Sequence, residues 1–354
     1  MRLARPFDAV LVISFGGPEG LADIRPFLAN VVRGRRVPPD RLEAVAHHYE
    51  AFGGVSPLTA ITKRQVVALR ERLAARGLDV PVYLGMRNWH PFLSDTLRAM
   101  SDDGVRRAVG FICAAHRSYS SCTQYRENVV EARGALASAG RKDVSVTYVG
   151  DWHLHPGFID THVANIDAAR LTLPEAVRAA ARVVFTAHSI PLSMSGVERY
   201  QRQLRESASS VATRLGLGEA DWALVYQSRS GRPGDPWLEP DICDYLRAEH
   251  GRGAPDAPRA VILCPIGFLC DHLEVLYDLD REAADVCREL GLPMARAAAV
   301  NDAASFIATM ADAVQDTWRR YASGLPLSIV AAPGAVAPRV GHAVHCSAAR
   351  PTRV

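Results

Sequence analysis

The segment Phe185-Thr186-Ala187-His188-Ser189-Ile190-Pro191 sets a histidine at the end of an apolar run, where an imidazole can take a proton near neutral pH or ligate a metal. A lone histidine is more often a satisfied structural group. Farther along, Glu274, Asp278 and Glu282 stand four apart in Asp271-His272-Leu273-Glu274-Val275-Leu276-Tyr277-Asp278-Leu279-Asp280-Arg281-Glu282. On an α-helix these carboxylates form one acidic stripe, whose mutual repulsion costs helix stability and asks for a cation. The plain alternative is a solvated acidic face. A ladder of carboxylates leading to an imidazole would guide a hard or borderline cation inward, and imidazole plus carboxylate suits ferrous iron among other divalent metals.

Other clusters carry binding chemistry. Gly53-Gly54-Val55-Ser56-Pro57-Leu58-Thr59 precedes a helical pattern. Ser56 or Thr59 can cap that helix, or the glycine amides and a hydroxyl can bind a carboxylate. Arg87-Asn88-Trp89-His90-Pro91-Phe92 and the run from Arg117 through Ser118, Tyr119, Cys122 and Tyr125 to Arg126 mix cations, hydroxyls and aromatic rings. That mixture suits a flat aromatic ligand bearing carboxylates. Phe15-Gly16-Gly17-Pro18-Glu19-Gly20 is neither a P-loop nor Gly-x-Gly-x-x-Gly, which argues against a nucleotide enzyme. A Ser–His hydrolase fits poorly, since no Gly-x-Ser-x-Gly elbow occurs.

Most of these groups follow short apolar runs that read as strands. Four lie in the first half (Ala9–Phe15, Val80–Gly85, Ala108–Cys113, Val144–Val149) and four in the second (Arg182–Thr186, Ala223–Gln227, Ala260–Cys264, Met294–Ala299). Amphipathic patterns between them predict helices at Ile61–Ala75, Gln124–Ala139, Val197–Leu215, Asp271–Leu290 and Ala303–Tyr321. Apolar strands alternating with helices mark an α/β fold of parallel sheets covered on both faces. The equal strand counts predict two such domains, 1–155 and 156–323. Open α/β sheets bind ligands beyond the carboxyl ends of their strands, where the clusters stand. The segment 324–354 reads as a loosely ordered tail.

The 354 residues suit two domains of ordinary size, and 48% hydrophobic against 22% charged residues is a globular balance. A net charge of +3 without a long basic run predicts no nucleic-acid partner. The first residues lack a signal-peptide pattern and no apolar stretch is long enough to span a bilayer, since Leu325–Val336 is short and broken. A cytoplasmic location is expected. Seven scattered cysteines without a Cys-x-x-Cys pair argue against a disulfide framework or structural zinc.

Taken together, the chain resembles the ferrochelatase family from about Phe7 to Tyr321. The motifs are Ser14-Phe15-Gly16-Gly17-Pro18-Glu19, Gly53-Gly54-Val55-Ser56-Pro57, Thr186-Ala187-His188-Ser189-Ile190-Pro191 and Gly267-Phe268-Leu269-Cys270-Asp271-His272-Leu273-Glu274. The resemblance implies two Rossmann-like domains around a porphyrin cleft, with His188 and Glu274 facing each other where metal is inserted. It also implies tetrapyrrole contacts at Ser56 and Tyr125, and Asp278 and Glu282 are the expected entry route. Arg87-Asn88-Trp89-His90-Pro91 and Tyr119–Tyr125 resemble the actinobacterial branch, which implies coproporphyrin III and ferrous iron as substrates. Protoporphyrin IX as substrate, or a non-catalytic haem- or porphyrin-binding protein, stays open at this level. Transfer partners in haem biosynthesis are implied as well. Phe15 stands where some relatives carry an iron-ligating tyrosine, so any axial ligand on that face comes from elsewhere. No [2Fe–2S] cluster is expected, because only Cys122 and Cys346 are plausible ligands and four thiolates are the usual requirement.

Overall fold

The computed structural model describes residues 6–34, 37–230, 234–251 and 258–325. Eight strands form two four-stranded sheets, and every strand pairing within them is parallel. The first sheet holds β1 (Ala9–Ser14), β2 (Val82–Met86), β3 (Arg107–Ile112) and β4 (Ser145–Tyr148). The second holds β5 (Ala181–His188), β6 (Trp222–Gln227), β7 (Ala260–Cys264) and β8 (Met294–Arg296). All eight fall where the apolar runs predict, with ends shifted by at most a few residues. The central strands are buried along nearly their whole length, as runs such as Ala-Val-Leu-Val-Ile in β1 demand.

The orders are β2-β1-β3-β4 and β6-β5-β7-β8, so the second half repeats the topology of the first. In each sheet the first strand lies between the second and the third, and the direction of winding reverses between first and third. The crevice at that reversal is where open α/β sheets hold ligands. Here it opens between the ends of β1 and β3, and again between the ends of β5 and β7.

Helices cover both faces. The predicted segments appear as Pro57–Ala75, Gln124–Ser138, Val197–Arg214 and Ala304–Ala322. The pattern over Asp271–Leu290 is interrupted: an α-turn over Leu273–Tyr277 gives way to a wider π-turn over Asp278–Ala283, followed by α-helix over Ala284–Glu289. The last helix, Ala304–Ala322, crosses back onto the first half. Arg76 pairs with Asp312 at 2.7 Å, and the rings of Phe7 and Trp318 lie 5.4 Å apart. One large apolar core consequently runs through both halves, from Val10 and Phe111 to Phe185 and Ile262. No helix among the described residues is long and apolar enough to cross a membrane. The expected tail from 326 onward, most of Leu325–Val336 and Cys346 lie outside the described residues.

Candidate active site

His188 is the last residue of β5. Its Nδ1 lies 2.5 Å from the Ser189 carbonyl and donates to it, which leaves the lone pair on Nε2. The phenol of buried Tyr200 donates to the His188 carbonyl at 3.1 Å and fixes the strand end from below. Nε2 stands 4.0 Å from Oε2 of Glu274. The two side chains are 35% and 44% exposed, so the pair is open to solvent instead of being sealed among apolar neighbours. Glu274 reaches this position from the loop after β7, where His272 caps the short helix by accepting the Glu274 amide on Nδ1 at 3.2 Å. Burial depresses the basicity of His272, with His188 adding to the effect and Glu274 opposing it. The histidine and carboxylate thus meet at the reversal point of the second sheet.

The acidic residues beyond them form a ladder, but not the single α-helical stripe that a four-residue spacing predicts. The π-turn begins at Asp278 and changes the angular spacing of the residues that follow. Asp278 turns down onto the end of β6, accepting from Ser228 Oγ and from Gln227 Nε2 at 3.2 Å, whereas Glu282 remains exposed. Burial pushes the Asp278 carboxyl up to about 7, with Glu274 and Glu282 adding to the rise against the Ser228 and Gln227 hydrogen bonds. Glu282 is also raised, by the partial desolvation of its otherwise exposed carboxyl and by Asp241. The raised Asp278 carboxyl is held charged only at a cost, which a divalent cation beside it would lower. Above it, His48 stacks on Tyr277 with centroids 3.8 Å apart, which lays helix Pro39–Glu50 over this wall.

The first half supplies the facing wall. Tyr125 is buried in the first turn of its helix, with the Arg87 guanidinium 5.8 Å from its ring centroid. Burial is the main cause pushing its phenol well up, and Glu274 contributes to the same rise across the crevice. Ser56 occupies the N-cap position of helix Pro57–Ala75 but makes no capping bond with its side chain. Thr59 does not cap either; it donates to the Gly17 carbonyl at 3.0 Å. Ser56 is buried against Gly17, where an added Cβ would meet it at 2.8 Å. Phe15 is half-buried and packs on Phe27, with centroids 6.2 Å apart.

Part of the polar density after β3 is structural. Ser118 and Ser121 cap the turn at Tyr119–Thr123 reciprocally, and Arg117 is spent on Asp151. Sequence reasoning did not single out Tyr200, Gln227, Ser228 or the His48–Tyr277 stack. Gln227 and Ser228 follow from the strand-end rule applied to β6; the stack has no local signal. Among the described residues, Glu43, His47 and Glu50 also offer three ligand atoms to a metal, but Arg25 already bonds both carboxylates.

Comparison with known proteins places these features in context. The family model described as Ferrochelatase matches residues 7–318. A protein from Streptomyces griseus named coproporphyrin III ferrochelatase is 46% identical over 325 residues, covering 88% of this chain and 86% of its own. One of the same name from Mycolicibacterium smegmatis is 44% identical over 342 residues, 96% of each chain. Among solved structures, SirB from Bacillus subtilis with Fe3+ superposes with a TM-score of 0.55 at 11% identity, over 90% of this chain and 98% of that one. That last likeness speaks for the fold alone.

Proposed function

The chain belongs to the ferrochelatase family, and from that membership we propose that it inserts ferrous iron into coproporphyrin III to form Fe-coproporphyrin III. The observation that carries the catalytic reading is the open imidazole–carboxylate pair, His188 Nε2 and Glu274 Oε2, 4.0 Å apart. The substrate reading rests on the two relatives that bear the coproporphyrin III name at 44–46% identity.

In this reading the macrocycle lies between the two walls, with Tyr125 and Ser56 contacting it and its acid arms held by polar groups near them. Binding bends the ring and tilts pyrrole N–H bonds and lone pairs out of plane, a form of substrate distortion. His188 is suited to take a pyrrole proton: its Nδ1–H is committed to Ser189, so Nε2 is the basic atom. Glu274 ligates or relays ferrous iron, which reaches it past Glu282 and Asp278. Two protons leave as one divalent cation enters, so the charge of the ring site is unchanged.

Iron is a substrate here, and we propose no resident cofactor. A [2Fe–2S] cluster would need four thiolates, and the cysteines supply only Cys122 and Cys346 as plausible ligands. The reading also treats residues 1–155 and 156–323 as two domains, and has the protein act in the cytoplasm, passing its product to a partner in haem biosynthesis.

Anaerobic mixing with coproporphyrin III and ferrous iron, followed through the porphyrin absorption spectrum, tests the proposal, with protoporphyrin IX run in parallel. Multiple-turnover metallation with the higher kcat/KM for coproporphyrin III is expected. A shifted spectrum without metallation would favour a non-catalytic binder, and preference for protoporphyrin IX would overturn the substrate.

A further inference from the structure

Asp151 lies just past β4 at the junction of the two halves, and three side chains converge on it. Arg117, from the loop after β3, pairs with Oδ1, while Arg199 and Gln203, from helix Val197–Arg214 of the second half, reach Oδ2 at 2.5 and 3.0 Å. The network closes on itself, since Gln203 Oε1 accepts the Arg117 amide at 2.8 Å. Next to it, the Tyr119 amide donates to the Ser195 carbonyl at 3.0 Å. Asp151 is only 11% exposed. Burial alone would raise its carboxyl, but Arg117 and Arg199 outweigh that and hold it below the usual range, so the hub stays charged.

What the hub joins gives it meaning. Arg117 begins the segment that ends in Tyr125, the proposed porphyrin wall. Arg199 precedes Tyr200, whose hydroxyl holds the His188 carbonyl. We infer that Asp151, with Arg117 and Arg199, is a positioning device for insertion: it fixes the proposed base against the proposed porphyrin wall. This rests on His188 acting as base in the proposed reaction. Neither arginine touches the crevice pair in this arrangement; each acts through a backbone that carries a site residue. A displacement of about 1 Å at such a point can cost on the order of a hundredfold in rate.

The experiment compares Arg199→Gln, Arg199→Lys and Asp151→Asn with the parent protein. Arg199 is 42% exposed, so losing its charge does not threaten folding as the buried hub substitution does. Arg199→Gln is expected to lower kcat about tenfold while the iron KM and the coproporphyrin Kd by fluorescence quenching stay within about twofold. Arg199→Lys should restore most of the rate, and folded Asp151→Asn should lose more than Arg199→Gln. An unchanged kcat in Arg199→Gln, or a loss matched by a weaker porphyrin Kd or a smaller folded fraction, overturns the inference. His188→Ala separates the two levels. If it is dead while the Arg199 variants are normal, only the brace is wrong; if it turns over, the reading beneath the brace is wrong.

Discussion

Asp278→Asn tests the ladder electrostatics and separates stability from function. A free aspartate ionises near about 3.9, whereas burial lifts Asp278 to about 7. Because the folded-state value lies above the unfolded one, the folded protein binds the extra proton between these two pH values. Its stability therefore falls as pH rises through that window, and the full penalty is present above about 7. The gap corresponds to at most about 4 kcal/mol, at about 1.4 kcal/mol per pH unit, and less because solvent screens the part of the rise that comes from the charges of Glu274 and Glu282. Asparagine keeps an acceptor for Gln227 and Ser228 and carries no charge to desolvate. It should therefore raise stability by about 2–4 kcal/mol at pH 8 and by little at pH 4, read from urea midpoints of both proteins across that range. The same variant should need more iron, because it removes a rung. A stability difference that is flat with pH, or that favours aspartate at pH 8, would refute the claim that Asp278 is held charged at a cost.

Other outcomes follow from the same geometry. Glu282→Gln should raise the iron KM more than it lowers kcat in the metallation assay, since this exposed carboxylate lies outside the reacting pair. Tyr200→Phe removes a single hydrogen bond to the His188 carbonyl and should cost about 1 kcal/mol in stability by urea titration, with a several-fold fall in kcat. Gly54→Ala should destabilise by about 2 kcal/mol or more, measured by thermal unfolding. Gly54 has φ of +79°, and its Cβ would come 2.5 Å from the Leu21 amide nitrogen.

Most of what can be read without coordinates here is what one strand and its end encode. The apolar runs mark the central strands most clearly, because parallel strands buried on both faces leave no polar alternation to confuse. His188 stands out because it closes a strand, and Glu274 because it opens an acidic run after another. What escapes is long-range. Arg117 reads as a ligand-binding cation, yet it is taken by Asp151 together with a helix some 80 residues farther on. The stripe of Glu274, Asp278 and Glu282 assumes a uniform helical turn, and the π-turn at Asp278 breaks that assumption with no local glycine or proline to announce it. Thr59 sits at a capping spacing but finds the Gly17 carbonyl, a partner set by tertiary packing.

The most direct measurement is stopped-flow metallation of coproporphyrin III by His188→Ala, paired with a fluorescence titration of porphyrin binding to the same variant. Removing the imidazole should leave the macrocycle binding within a few-fold of the parent while iron insertion falls by several orders of magnitude. Substantial insertion by that variant, with porphyrin bound normally, would contradict the assignment of His188 as the group that takes the pyrrole proton.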